Sequence, residues 1–416
     1  MLDAFLNSLF KVGTLTIVDA KGRARTFGDG TGEEVAVRLH GNAAARLARS
    51  PSLALGECYS EGLLVIEKGD IYALMDLVGR NMGLRKKSRS PLRRLRLAIQ
   101  RRLEQVNRRA RSLRNVSHHY DLSFELYRRF LDEDMQYSCA YFATPDMTIE
   151  QAQLAKKRHL AAKLALRPGD RVLDIGCGWG GLGLSLAEFE PGARVTGVTL
   201  SKEQLAVAQR RIGERGLTGR VDFQLRDYRD ITGPFDRIVS VGMFEHVGVP
   251  HYQEFFDNVA RLLADDGVMV LHSIGRKDGP SRTNPFINKY IFPGGYSPSL
   301  SEVLPYIERA GLWVTDIEIL RLHYAETLKA WRERFLAHGE AVTGLYDEKF
   351  RRLWDYYLAS SEISFRHLGH MNFQIQLAKR VDALPITRDY IGEGERALAA
   401  RGLGGAGRDS PAPAAA

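Results

Sequence analysis

DRVLDIGCGWGGLGLSLAE, residues 170–188, is the stretch that decides the fold. Its apolar run 171–175 has the length and composition of a buried strand. The run contains Asp174, and Gly176, Gly178 and Gly180 then lead into an apolar helical stretch at 182–189. Glycines at that point let the backbone turn sharply and pass close to a ligand, at the carboxyl edge where open α/β sheets bind. The alternation continues outward: strand 194–198, helix 202–215, strands 221–225 and 237–241, helix 252–263, strand 267–272. Such alternation predicts a mostly parallel sheet covered on both faces. Helices are expected from there to about Thr387.

Upstream, residues 1–84 read as a small α+β unit. GTLTIVDAKGRARTFG holds two β-rich runs, 15–18 and 24–27, joined across residues 19–23 as in a hairpin, and 35–39 reads as a third strand. Compact turns and a helix ending near Arg80 follow. Between this unit and the rest lies a basic band, 85–114, with thirteen Lys or Arg and one acid, Glu104. Its net charge of +12 against +9 for the whole chain leaves the remainder at −3. Leu92, Leu95, Ile99, Leu103, Val106 and Leu113 recur at near-helical intervals, so the band reads as a basic amphipathic linker helix. A solvated interdomain helix, contact with an anionic lipid surface and contact with nucleic acid all suit that pattern. GEGERALAARGLGGAGRDSPAPAAA, 392–416, reads as a disordered tail.

At 416 residues, 44% hydrophobic and 26% charged, the composition is that of a globular protein. No apolar run nears the roughly 20 residues of a membrane-spanning helix, and the start MLDAFLNSLFKVG has no basic leader, so a secretory signal is not expected. Cys58, Cys139 and Cys177 form no CxxC pair, which argues against a disulfide framework or a cysteine zinc site and for reducing cytoplasm. No metal site is expected.

The loop reads G-x-G-x-G with an acid before it and no P-loop Lys-Ser/Thr after it. That form favours S-adenosylmethionine (SAM) over a dinucleotide or a purely structural turn. The fold class read is therefore α/β: a Rossmann-like class I SAM-dependent methyltransferase domain, 115–391, with a smaller N-terminal α+β domain. The second strand ends in GVTLSKEQ, without the acid that usually holds ribose hydroxyls. Thr199, Ser201 and Gln204 offer neutral hydroxyl and amide groups instead. Asp227 and Tyr228, after the third strand, stand where an adenine would lie. Tyr can stack on the ring, and Asp can accept from its amine.

Taken together, HHYDLSFELYRRFLDEDMQYSCAYF (118–142), LDIGCGWGG, GVTLSKEQ, DYRD…FDRIVSVGMFEHVG (227–248), LHSIG (271–275) and HYAETLKAW (323–331) resemble the cyclopropane-fatty-acyl-phospholipid synthase family. The resemblance spans roughly half the chain and extends more loosely to the N-terminal unit of the phospholipid-acting members. It implies attack by a cis alkene on the sulfonium methyl, a carbocation on the acyl chain, and loss of a proton as a cyclopropane ring closes. It also implies a dry, aromatic-lined site and a bound bicarbonate as the base. The implied ligands of that base are Cys139, Glu245, His272, the main chain of Ile274, and Tyr324. Glu245 can accept from the bicarbonate hydroxyl, while His272, the Tyr324 phenol and a main-chain N–H can donate to its oxygens. Cys139 is implied as a ligand rather than a nucleophile. Tyr120 and Tyr137 resemble family positions near the cofactor carboxylate and reaction centre.

Ser361 departs from the family, standing where phospholipid-acting members often carry a second cysteine. The same fold and cofactor could then give a methyl-branched or methylene fatty acid without ring closure. A nucleic-acid methyltransferase is disfavoured, because the slot after the fourth strand reads SVGMFEHV rather than Asn/Asp-Pro-Pro-aromatic. The expected partners are unsaturated phospholipids in the membrane surface and no nucleic acid. The expected location is cytoplasmic, peripherally on the inner face of the membrane. A homodimer would add avidity there, and the sequence leaves that state open.

Overall fold

The computed structural model describes residues 2–84 and 123–402. The expected linker helix 85–114, Tyr120 and the end of the tail lie outside the described residues.

The first unit runs α1 (Leu2–Leu9), β1 (Thr14–Val18), β2 (Ala24–Gly28), β3 (Glu34–Leu39), α2 (Ala43–Arg49), α3 (Pro51–Ser60), β4 (Leu64–Lys68) and α4 (Ile71–Gly83). Its sheet has the order β2-β1-β3-β4, with β1 antiparallel to β2 and parallel to β3. Asp19 Oδ1 accepts from the Lys21 and Arg23 N–H groups, which fixes the β1–β2 turn. Along β3, Val35, Val37 and Leu39 are buried, so alternation sets the inward face.

The larger part continues with α5 (Phe124–Tyr127), α6 (Ile149–Leu164), β5 (Arg171–Ile175), α7 (Gly181–Phe189), β6 (Arg194–Thr199), α8 (Lys202–Glu214), β7 (Val221–Leu225) and β8 (Phe235–Val241). Then come α9 (Tyr252–Leu262), β9 (Leu263–Arg276), α10 (Leu300–Arg309), β10 (Trp313–Leu320), α11 (His323–Ala337), α12 (Gly339–Leu345), α13 (Glu348–His367), β11 (His370–Ala378) and α14 (Asp389–Ala400). Seven strands pair in the order β10-β11-β9-β8-β5-β6-β7. The run from β9 to β7 is parallel, and β11 is antiparallel to both β9 and β10. After β5 the chain steps to β6 and β7, then crosses back to β8 on the other side. This reversal opens a crevice at the carboxyl ends of β5 and β8.

Two expectations are corrected. The region expected to be helical to about Thr387 contains β10 and β11. In β11, Met371, Phe373, Ile375 and Leu377 alternate with Asn372, Gln374 and Gln376, and all seven are buried because the strand is interior to the sheet. The tail expected to be disordered from 392 is instead helical to Ala400. Ile391 and Leu398 of α14 are buried, and Gly394 sits against α6, where an added Cβ would lie 3.1 Å from Ala162 Cβ.

The N-terminal unit does not keep a core to itself. Leu74 and Leu77 of α4 belong to the same buried cluster as Leu358 and Ile363 of α13. Polar contacts border it: Tyr72 OH donates to Glu362 Oε1 at 3.1 Å, and His367 Nε2 meets Asp76 Oδ1 at 2.8 Å. At Gly56 a Cβ would lie 2.5 Å from the rings of Phe286 and Tyr356. Gly56→Ala is therefore expected to destabilise the whole chain by about 1–3 kcal/mol through overpacking. In calorimetry the described units should still unfold in one transition, shifted to lower temperature.

Candidate active site

β5 ends at Ile175, and the chain turns at Gly176, with φ of 84°. A side chain there would strain the backbone and put its Cβ 2.8 Å from that of Met243. The N–H groups of Gly176 and Cys177 both donate to Val198 O, tying the loop to the end of β6. Gly176 and Gly178 line a cavity with about 1390 Å³ of empty space, part of it open to solvent. Gly180, expected at the cofactor, is not in the wall. It is the positive-φ residue preceding α7, and a Cβ there would meet Phe223 and Ala208.

Asp174 lines the cavity at 2% exposure, and its Oδ2 is buried with no hydrogen-bond partner. Burial pushes its pKa to about 7, against the pull of Lys156 and the Gly183 N–H. A buried acceptor facing a cavity beneath a glycine turn fits the ammonium of an amino-acid end. Thr199 and Gln204 also line the wall, with Thr199 Oγ1 donating to Gln204 Oε1 at 3.0 Å. Ser201 is not in the wall; its hydroxyl accepts from the Gln204 N–H and caps α8. Asp227 and Tyr228 line the far side. The Asp227 carboxylate is gripped by Arg229, with Nε to Oδ1 at 2.9 Å and Nη2 to Oδ2 at 2.6 Å. Tyr228 is braced edge-on by Phe255 at 5.5 Å.

The wall facing the glycine loop is the segment 135–138. Tyr137 stands in it, its phenol 2.9 Å from that of Tyr357 and its ring 5.2 Å from Trp331. This segment is anchored by Lys156 of α6, which sequence reasoning missed. Lys156 is fully buried and donates to Gln136 Oε1 at 2.6 Å and Ser138 Oγ at 2.8 Å. Next to it Asp134 accepts from Lys157 at 2.7 Å, from Arg215 at 2.6 Å, and from Arg211. Two lysines in a helix of good formers read as solvated. Only the groups placed against them by the fold, Gln136 and Ser138 for Lys156 and Asp134 for Lys157, show them to be internal.

None of the five residues implied for the base lines this cavity, although their sequence neighbours Ser138 and His246 do. Glu245 lies in the 3₁₀ turn Phe244–His246, and its Oε1 accepts from the Ile274 N–H at 2.6 Å. Expectation had both groups contacting one ion; here they contact each other. Glu245 Oε2 is buried without a partner, and burial pushes the pKa to about 7 despite the Ile274 N–H. His272 is held between two amides of β11, each ring nitrogen 3.2 Å from the side-chain nitrogen of Asn372 or Gln374. Burial, with the charges of Lys156 and Lys163, lowers its pKa to about 3, so it is neutral. Donation from His272 to an anion therefore requires it to give up an amide contact. Cys139 is fully buried, its thiol donating to Ala140 O at 3.3 Å, and burial pushes its pKa far up. It is a neutral thiol, not a nucleophile. Tyr324, near the start of α11, packs against Phe365 at 4.9 Å and Trp331 at 5.8 Å. Cys139 and Tyr324 belong to one buried cluster, with Tyr137 and Ile274 packed against it.

A seven-stranded sheet with one antiparallel strand, a glycine turn after β5 and this cavity define a class I SAM-dependent methyltransferase. The family described as mycolic acid cyclopropane synthetase matches residues 107–375, and the chain belongs to it. The cyclopropane-fatty-acyl-phospholipid synthase of Escherichia coli K12 is 39% identical over 338 residues, 81% of this chain and 86% of that one. A probable fatty acid methyltransferase of Pseudomonas putida is 43% identical over 66% of this chain and 72% of its own. Among solved structures, the mycolic acid cyclopropane synthase CmaA1 complexed with SAH and CTAB has 36% identity and a TM-score of 0.60, covering 64% of this chain and 97% of that chain.

Asp174→Asn is expected to weaken SAM binding roughly 10- to 100-fold, the worth of one charge-assisted hydrogen bond. In the native chain SAM affinity should rise with pH through about 7 as Asp174 ionises, and the variant should lose that rise. Isothermal titration across pH 6–8 (a range of roughly one unit either side) checks both.

Proposed function

We propose that this chain transfers a methyl-derived carbon from SAM to the cis double bond of unsaturated phospholipid acyl chains and closes a cyclopropane ring. The observation that carries this reading is Glu245. It is a carboxylate with a free buried oxygen, next to the cavity-lining His246 and tied to the Ile274 main chain that packs against the aromatic cluster. Such a group is suited to hold a small hydroxylated base where water is excluded. The names of relatives acting on fatty-acyl phospholipids and mycolic acids support the substrate class.

Bicarbonate fits the donor set in part: Glu245 Oε2 lacks a donor, and the Cys139 thiol and Tyr324 phenol are neutral groups able to donate. When bound, SAM supplies the electrophilic methyl and bicarbonate the proton acceptor. The chain's own part is to orient and to seal. Asp174 holds the cofactor's amino end, and Asp227 and Tyr228 its base. Tyr137, Trp331 and Tyr324 present π faces that stabilise positive charge on an alkyl chain without quenching it. Glu245 must be ionised to accept from a hydroxyl. Turnover at saturating SAM should therefore rise with pH through about 7.

The N-terminal unit and the basic band would present this site to anionic membrane at its cytoplasmic face, with a homodimer adding avidity. Among the described residues no helix is long and apolar enough to cross a membrane. Neutralising Arg93, Arg94, Arg101 and Arg102 is expected to weaken sedimentation with anionic vesicles, most strongly at low salt.

Glu245→Gln is expected to keep SAM affinity and lose roughly 100-fold or more in turnover on cis-unsaturated phospholipid vesicles. S-adenosylhomocysteine release measures this, and unchanged turnover would remove Glu245 from the chemistry. Mild hydrogenation of the product decides the outcome, since a methyl-alkene takes up hydrogen and a cyclopropane does not.

A further inference from the structure

The region matched by the family begins at residue 107, yet a carboxylate from the N-terminal unit reaches a segment that shapes the site. Glu57 of α3 is 9% exposed. Its Oε1 accepts from Lys289 Nζ and from Tyr290 OH, both at 2.7 Å, while Oε2 accepts from Arg46 Nη2 at 2.8 Å. Lys289 and Tyr290 lie in a π-helical turn, Ile287–Ile291. That turn leads directly to Pro293 and Gly294, which form part of the cofactor cavity wall. The Gly294 N–H donates back to Asn288 Oδ1 at 3.0 Å, and the Tyr296 N–H donates to the main-chain oxygen of Glu245 at 2.9 Å. One end of this segment is thus held by Glu57, and the other holds Glu245.

We propose that Glu57 is a positioning residue: by fixing Lys289 and Tyr290 it sets where Pro293 and Gly294 bound the cofactor cavity and how Glu245 is presented. The statement about Glu245 rests on the role proposed for it above; the statement about the cavity wall does not. Lys289 is half exposed, so its ion pair alone contributes little. The convergence of a phenol and an ammonium on one oxygen gives the contact its direction. Burial pushes the Glu57 pKa up, but Lys289, Arg46 and Tyr290 bring it down to about 2, so the carboxylate stays ionised. Beside it, Gly56 admits the buried Phe286 ring at the start of the same segment, so α3 meets the segment through one apolar and one polar contact in succession.

The test is Glu57→Gln in the full chain, which keeps side-chain volume and weakens the grip on both donors. Glu61→Gln is the control, because Glu61 also pairs with Arg46, whereas Lys289 and Tyr290 donate to Glu57. Four quantities are read: SAM affinity by calorimetry, kcat and lipid KM by S-adenosylhomocysteine release, and the unfolding temperature. For Glu57→Gln, kcat is expected to fall roughly 10- to 100-fold, as for a slight misplacement of reacting groups. SAM affinity should fall several-fold, with lipid KM unchanged and an unfolding temperature matching that of Glu61→Gln. Tyr290→Phe should move kcat the same way, and the double variant should cost no more than Glu57→Gln alone. Unchanged kcat and SAM affinity would overturn the proposal, as would an equal loss of kcat in Glu61→Gln. Should Glu245→Gln prove fully active, the SAM-affinity measurement still decides the placement of the wall.

Discussion

Two carboxyl groups are buried at the carboxyl end of the parallel sheet with one oxygen each left unpartnered: Asp174 on β5 and Glu245 just beyond β8. Burying such an oxygen costs on the order of 1–3 kcal/mol. The cost arises where strand order reverses: β6 and β8 pair with β5 up to Ile175, and the connections beyond them leave in opposite directions. Asp174 lines the cavity, and Glu245 stands outside the lining, next in sequence to His246, which is part of it. Both groups are raised to about 7 by burial, so a cation beside one and a hydroxyl beside the other each convert a penalty into a bond. The glycine turn and the aromatic packing around Tyr137 serve that end by bringing the ligand close and keeping water away.

The opposite wall obeys different rules. Segment 132–138 is held by buried charge as well as by the apolar packing of Met135 and Tyr137, with Asp134 gathering Lys157, Arg211 and Arg215, and Lys156 fixing Gln136 and Ser138. A buried network of this kind adds little net stability over a well-packed apolar one, but it tolerates few alternative arrangements. That suits a wall required to stand in one place. The same ammonium of Lys156 acts on Cys139, Asp174 and His272, so it belongs to the electrostatics of the cofactor side and of the proposed base side together.

The five parallel strands were legible because each is a short β-rich run set off by glycine or a helical stretch, β7 (VDFQL) by its alternation and β5 by its apolar run. The order of the strands, and with it the switch point, is given by the structure alone. β11 was hidden although HMNFQIQLA alternates with a period of two, because its polar positions are buried amides that occupy His272 and other internal groups. Sequence shows a polar side chain but not which side of a sheet is covered. Gly394 misled in the other direction: glycine and alanine near the end suggest disorder, whereas a small residue is what lets α14 lie on Ala162. At the site, the glycine motif pointed to Asp174 and the segment after β7 to Tyr228, both of which line the cavity, whereas Gly180 and Ser201 serve local backbone needs outside its wall. Glu245 was reached only through the family resemblance. The partners of Lys156 are distant or offset in sequence, and no local pattern carries them.

The described residues 2–84 and 376–402 lie outside the region matched by the family, and both stretches pack against it. α14 is joined to α6 through His159, whose ring nitrogens meet Glu395 and Glu318. Tyr141 stacks between His159 and His323, at 4.4 and 4.9 Å, and His323 immediately precedes Tyr324. At the other end, α3 and α4 cover the face of α13 that carries Tyr356 and Ile363. Removing either element would expose apolar surface directly behind residues that line or flank the site, so neither is a passive appendage. The structure therefore assigns the extra segments a physical task that a membrane-tethering role alone does not require. They complete the packing that keeps Tyr324 and the 286–296 segment in register with the cofactor cavity.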